Sequence, residues 1–325
     1  MFRRMAACGL ALLGAVAATG ASAQNWPTRP VTLVVPFSAG GPIDTLARSL
    51  QQPLSESLGQ TVVVENIGGA GGAVGSQRVA TSNDDHMVLI GSIGSHAIGQ
   101  SMLAKPPYNS VEDFAHVILL ADAPQVLLAR GDFPANNLKE FIAYAKKNHA
   151  KMQHGSGGSG TSSHIGCVLL HEAIGVKITH IPYKGGGPAM QDLLGGRVDY
   201  ICNYVSTALA AVHSGKAKVI STLSAERVPA FPEVATAQEE GLKGVEISAW
   251  NAIFMPKGTD PKIVAKLNAA ISKALDTEAV RKRMEKLGLE APAASRRSPE
   301  FLRKYLAEEI QRWRGPVMAS GVQHK

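Results

Sequence analysis

Val31-Thr32-Leu33-Val34-Val35-Pro36-Phe37-Ser38-Ala39-Gly40-Gly41-Pro42-Ile43-Asp44-Thr45-Leu46-Ala47-Arg48 commits the chain to an α/β architecture. A β-branched apolar run stops at Pro36, two adjacent glycines permit a tight turn, and Pro42 suits the first turn of a helix whose apolar positions follow. This is a strand, a glycine loop and a helix start. The first N–H groups of such a helix lack intrahelical acceptors and its dipole favours negative charge, so the loop is shaped to receive an anion through backbone atoms.

Upstream of this stretch, Arg3 and Arg4 precede an apolar run from Ala6 to Gly20 that ends in Ala21-Ser22-Ala23. That pattern is a secretory signal, expected to be cleaved after Ala23, and it places the mature chain in the periplasm. The paired arginines also fit twin-arginine export, although two basic residues are what an ordinary signal carries. Cys8 lies inside the apolar run, a poor position for lipid attachment. No later segment approaches the roughly 20 apolar residues of a membrane span. The 33 Lys and Arg, less Arg3 and Arg4, against 26 Asp and Glu leave a mature charge of +5. These charges are scattered, those of Arg281–Lys286 and of Arg296, Arg297, Arg303 and Lys304 read as solvated helix faces, and no nucleic-acid partner is expected. Cys167 reads as early helix and Cys202 as mid-strand, so each is expected to be a small buried apolar residue rather than half of a disulfide.

Downstream, short β-branched runs alternate with helical patterns: Val31–Val35, Thr61–Glu65, Met87–Ile90, His116–Leu120 and Val126–Ala129, then Ile178–Ile181, Val198–Asn203 and Ala217–Thr222. Such alternation predicts largely parallel sheets covered by helices, and the length asks for two domains. Three more glycine-rich turns, Asn66–Gly75, Gly155–Thr161 and Lys184–Pro188, each follow a strand-like run and precede a helical one. In open parallel sheets ligands settle outside the carboxyl ends of the strands, where such turns lie. Taken singly, such turns are often mere tight connections; four together, three with Ser or Thr beside the glycines, point to one ligand cleft.

Catalytic patterns do not assemble. Gly69-Ala70-Gly71-Gly72-Ala73-Val74-Gly75 has one residue too many before its last glycine for a dinucleotide fingerprint, and the acid expected downstream is missing. In Gly155-Ser156-Gly157-Gly158-Ser159-Gly160-Thr161-Ser162-Ser163-His164 neither Ser156 nor Ser159 has both glycines of a nucleophile elbow. The histidines include no His-x-x-x-His pair, and the glycine loops lack clustered carboxylates, so neither a metal nor a cofactor is expected.

The residues that remain resemble a family. Pro36–Asp44, Val64–Gly75, Pro107-Tyr108 with Asp113-Phe114, His154–His164, Ile181–Gly185, Asp192–Asp199, Arg227–Pro232 and Ala249–Thr259 resemble, in order, the motifs of the periplasmic solute-binding receptors of tripartite tricarboxylate transporters, the Bug family. Their order along the whole mature chain is what makes the resemblance specific. It implies an α/β, two-domain periplasmic-binding-protein (Venus flytrap, type II) fold, each domain a mostly parallel sheet flanked by helices, with crossing hinge strands near Ile118–Leu128 and Ile247–Phe254. The domains are then 24–122 plus 252–325, and 123–251, after a signal peptide at 1–23.

The resemblance further implies a small organic carboxylate held by backbone amides, hydroxyls and waters, and delivery to integral-membrane permease subunits by a monomeric, non-enzymatic receptor. The residues expected to bind it are Phe37, Ser38, Ala39, Gly40, Gly41, Asp44, Thr45, Asn66, Ala70, Gly71, Gly72 and Ser92 from one domain. From the other they are Ser156, Ser159, Thr161, Ser162, Lys184, Gly185, Gly186, Asn203 and Tyr204. Lys184 acts from a distance or covers the hinge. The chain departs from the family pattern at Ile67, Gly68 and Ala73, where Arg, Pro and Asn are usual, and at Asn203 and Tyr204, where many members have Asp and Asn. A neutral amide at Asn203 makes selection of an amino-group ligand less favoured, and Tyr204 would suit a flat acid or cap the core. The competing readings are a periplasmic serine hydrolase-like enzyme and a sensing subunit without transport.

Overall fold

The computed structural model describes residues 26–103, 105–286 and 288–319. The expected export signal lies outside the described residues. Strand β1 (Val31–Val35) leads through the first glycine loop into α1 (Pro42–Leu58), which Gly59 closes in the left-handed conformation that glycine adopts without Cβ strain. β2 (Val62–Asn66), α2 (Ala73–Ala80), β3 (Met87–Ser92) and a short α3 (Gly99–Met102) follow. The parallel trio β2-β1-β3 has β1 at its centre, which is why Val31, Leu33, Val34 and Val35 are all buried and the run does not alternate.

The two runs expected at His116–Leu120 and Val126–Ala129 are one strand, β4 (Phe114–Arg130). Beyond it lie α4 (Leu138–Asn148), β5 (Gln153–Ser156), α5 (Ser162–Ile174), β6 (Thr179–Pro182), α6 (Gly186–Leu194), β7 (Tyr200–Tyr204), α7 (Val205–His213) and β8 (Ala217–Thr222). A second parallel trio, β6-β5-β7, mirrors the first. The chain returns through β9 (Ser248–Pro256) to α8 (Pro261–Asp276), α9 (Glu278–Lys286) and α10 (Pro299–Ala319). β9 pairs antiparallel with β3 and with the first part of β4, whereas the second part of β4 pairs antiparallel with β7 and β8. Pro124, which has no N–H to give, sits where β4 changes partners. The long strand thus belongs to both halves, and β9 crosses beside it.

The crossing is pinned from the C-terminal side. Asp122 and Glu290 exchange backbone hydrogen bonds at 3.0 Å, and Arg296 holds the Asp122 carboxylate at 2.7 and 3.3 Å. Glu309 of α10, almost fully buried, accepts from the indole N–H of Trp250 on β9 at 2.9 Å and of Trp313 at 3.1 Å. A buried carboxylate is tolerated because its oxygens are paired.

One expectation is corrected. Cys167 and Cys202 are joined by a disulfide, their Cα atoms 5.5 Å apart. Both are buried, as expected, but the helix packs with its first turns directly on β7: a Cβ on Gly166 would stand 3.4 Å from that of Cys202. The close seat that Gly166 allows is what brings two sequence-distant thiols together.

Candidate functional site

Four helices begin around one cavity of about 30 Å³, room for a few waters by the measure of roughly 10–15 Å³ for one. Gly41, Pro42 and Ile43 come from the start of α1, Thr161, Ser162 and Ser163 from α5, Gly186 from α6, and Tyr204 caps α7. Phe37, Ser92, Gly157 and Asn203 complete the lining. Among the described residues none that lines it is charged. Helix starts supply unsatisfied N–H groups and the positive end of the dipole, so the cavity is electropositive without a cation.

The polar side chains are bonded so that donor capacity is left over beside the cavity. Gln125 donates its amide to Ser162 Oγ at 2.8 Å, and Ser162 Oγ donates to Tyr204 Oη at 3.3 Å. With that acceptor position filled, the phenol's own proton is left for a group in the cavity. Burial pushes the Tyr204 pKa up to about 12 against the lowering effect of Ser162, which keeps the phenol a neutral donor. Asn203 Oδ1 accepts from the Tyr204 N–H at 2.9 Å, which leaves the Asn203 amide hydrogens to donate. Tyr204 therefore both belongs to the apolar core and lines the cavity.

The sequence-selected residues separate into groups. Phe37, Gly41, Ser92, Thr161, Ser162, Gly186, Asn203 and Tyr204 line this cavity. Ala70, Gly71 and Ser159 line a second, about 250 Å³, beside Met102, Leu103 and Tyr108. Asp44 and Asn66 line neither and brace the loops instead. Asp44 accepts from the Gly40 N–H at 3.0 Å, from Arg48 at 3.0 Å and from Asn66 Nδ2 at 2.9 Å, and Asn66 also donates to the Phe37 carbonyl at 3.1 Å. Burial raises the Asp44 pKa, but the bonds from Arg48, Gly40 and Asn66 outweigh it and hold the carboxyl below its usual value. Thr45 caps back onto the Gly41 carbonyl at 3.0 Å. Gly40 at φ +79° and Gly72 at φ +97° are turn positions, and a Cβ on Gly72 would stand 2.8 Å from Phe37. Ala39 and the exposed Lys184 side chain are not among the lining residues.

The two halves touch directly across the cleft. Ser38 donates its N–H and its hydroxyl to the Lys184 carbonyl at 3.0 and 2.9 Å. A Cβ on Gly41 would lie 3.4 Å from the N atoms of Gly186 and Gly187, one on Gly185 3.0 Å from Ser38 N, and one on Gly71 2.3 Å from the Ser159 carbonyl. The glycines are there because the loops meet backbone to backbone. On the far jaw, Ser156 Oγ and Thr161 Oγ1 bond the Gly158 carbonyl at 3.2 and 2.7 Å, and Ser163 Oγ accepts from Gly157 N–H at 2.9 Å. Sequence reasoning missed Gln125, Ser163 and Arg48; the signal for Gln125 was a lone amide in an otherwise apolar run.

Among the described residues, Asp84, Asp85 and His86 could approach one ion together, yet they are engaged: His86 Nδ1 meets Asp85 at 2.6 Å, and Nε2 accepts from the Thr28 N–H at 3.1 Å.

Two α/β halves joined by crossing strands, with helix starts converging on the cleft between them, define a two-domain binding-protein fold. The model of the tripartite tricarboxylate transporter family receptor matches residues 46–321, and the chain belongs to this family. It is 36% identical over 327 residues to Protein BugT of Bordetella pertussis, covering 100% of this chain and 99% of that one. It is also similar to the solved structures of MatC from Rhodopseudomonas palustris with bound malate (41% identity, TM-score 0.87, 90% of this chain and all of that one) and of the periplasmic binding protein BugD (39%, TM-score 0.89, 92% and all). Proteins of this family are solute-binding receptors.

Proposed function

We propose that the chain captures a small organic carboxylate in the cleft between its halves, one carboxylate group seated in this cavity, and presents it to integral-membrane permease subunits, as a monomeric periplasmic receptor without catalytic activity. The observation that carries this reading is the convergence of four helix starts on a cavity lined by neutral groups, where the Tyr204 hydroxyl and the Asn203 amide keep donors to give. Several fixed donors bind a carboxylate strongly without a cation. The malate held by MatC supports the same ligand class here. In this reading the domains divide as 24–122 plus 252–325 and 123–251, and export removes residues 1–23. No helix among the described residues is long and apolar enough to cross a membrane, which suits a receptor that works beside separate permease subunits.

A donor-rich lining without a carboxylate offers no partner for an ammonium group, so hydroxy- and plain dicarboxylates should bind better than amino acids. Thermal unfolding with L-malate, succinate, adipate and L-aspartate tests this. A bound ligand at 100 times its Kd adds about 2.7 kcal/mol of stability, and malate or succinate should stabilise more than aspartate. Absence of any shift together with turnover of an ester would overturn the receptor reading.

A further inference from the structure

His154, His164, His171 and His180 are scattered in sequence, yet β5, α5 and β6 bring their rings together behind the Gly155–Thr161 loop, with His154, His164 and His180 stacked and His171 edge-on to His154. Ring centroids lie 4.0 Å apart for His164 and His180, and 4.8 Å for His154 with His180 and with His171. Two of these rings grip the loop. His164 Nδ1 accepts the Gly160 N–H at 3.2 Å, and His180 Nε2 meets Ser156 Oγ at 2.6 Å. Because an amide N–H can only donate, the His164 bond exists only while Nδ1 carries a lone pair. The same loop leads into Thr161, whose side chain caps α5 by accepting from the His164 N–H, and so into Ser162 and Ser163 at the cavity.

The groups facing the stack are His154 from β5, His164 and His171 from α5 with Glu172 beside them, His180 from β6, and Tyr200 from β7, whose hydroxyl bonds His171 Nε2. His149 and Lys177 stand at the rim. Closely stacked imidazoles repel a second proton, and burial disfavours the first. His171 and His180 are accordingly pushed down to about 4, by burial and, for His171, also by His180.

We infer that His164 and His180 are positioning residues for ligand binding: His180 Nε2–H donates to Ser156 Oγ, whose own proton goes to the Gly158 carbonyl, and His164 as a neutral ring accepts from Gly160, so together they fix the loop that aims the start of α5 at the cavity, and protonation of His164 Nδ1 releases it. The inference rests on the cavity being the ligand site, but the loop itself reports on it without ligand. Hydrogen–deuterium exchange of the free full chain at pH 7.5 and 4.5, corrected for intrinsic exchange, compares the wild type with the double variant His164→Asn/His180→Gln, whose amides offer acceptors and do not titrate. The wild-type loop around Gly160 should lose at least tenfold more protection at pH 4.5 than the variant's, with circular dichroism showing both folded. Calorimetry with L-malate as probe should show the wild type losing more affinity than the variant over the same range; malate's own titration is common to both. His164→Phe, which keeps the ring volume and loses the acceptor, should show the unprotected loop already at pH 7.5. Equal pH response of loop exchange in wild type and double variant overturns the inference. Failure of malate to bind bears on the ligand class instead, and exchange alone then decides.

Discussion

Tyr204 and Gly187 show how single positions shape the site. Since Tyr204 receives a proton from Ser162 and has its own to give, Tyr204→Phe removes one donor to an anion and little packing. A hydrogen bond to a charged group contributes about 1.5–3 kcal/mol. Titration calorimetry should therefore find malate bound at least tenfold more weakly by this variant, and the free chain should melt slightly lower because the buried Ser162 hydroxyl loses its acceptor. Gly187 is the second residue of α6, and a Cβ there would stand 2.7 Å from the Ala39 carbonyl across the cleft. Gly187→Ala favours the helix by up to about 1 kcal/mol yet wedges the halves apart. The expected result is a chain that melts no lower than wild type but binds malate at least tenfold more weakly; undiminished affinity would mean that the ligand does not require this closed contact.

At the scale of elements, the disulfide fastens α5 to β7 immediately behind the residues that face the cavity: Ser162 and Ser163 precede Cys167 on the helix, and Asn203 and Tyr204 follow Cys202. A crosslink closing a loop of this length contributes roughly 3–5 kcal/mol, so Cys167→Ala/Cys202→Ala should lower the melting temperature by roughly 5–15 °C. The strands, helices and glycine loops were legible in sequence because periodicity and glycine placement are local signals. β4 was read as two runs because Asp122 and Pro124 interrupt its apolar pattern, and only the change of partner strands explains a proline there. The pairing of Cys167 with Cys202, the reach of Asn66 to Asp44 and to the Phe37 carbonyl, and the histidine stack are products of tertiary packing, which spacing along the chain does not encode; the Asp44–Arg48 pair, at i and i+4 on one helix, is local.

For the whole molecule, buried neutral histidines set the response to acid. Burial, then repulsion by neighbouring histidines, holds His154 well below the usual 6.5; burial, then His116, takes His96 to about 3; burial, then Arg303, takes His116 to about 4. Each is harder to protonate folded than unfolded. Its contribution is therefore complete above the unfolded pKa near 6.5 and is lost as pH falls from there toward the folded value, at up to about 1.4 kcal/mol per pH unit for each histidine. Melting temperatures should hold level from pH 8 to 6.5 and fall steadily toward pH 4; a profile flat through this window would show that these rings are not buried neutral. What defines the molecule as a receptor is where a carboxylate sits. A crystal structure of the chain with whichever dicarboxylate most raises its melting temperature tests that directly. One carboxylate group should lie among Gly41, the start of α5, Gly186 and Tyr204, within hydrogen-bonding distance of Tyr204 Oη and with no Lys or Arg in contact. A carboxylate found instead beside Met102 and Tyr108, or held by a cation, would contradict it.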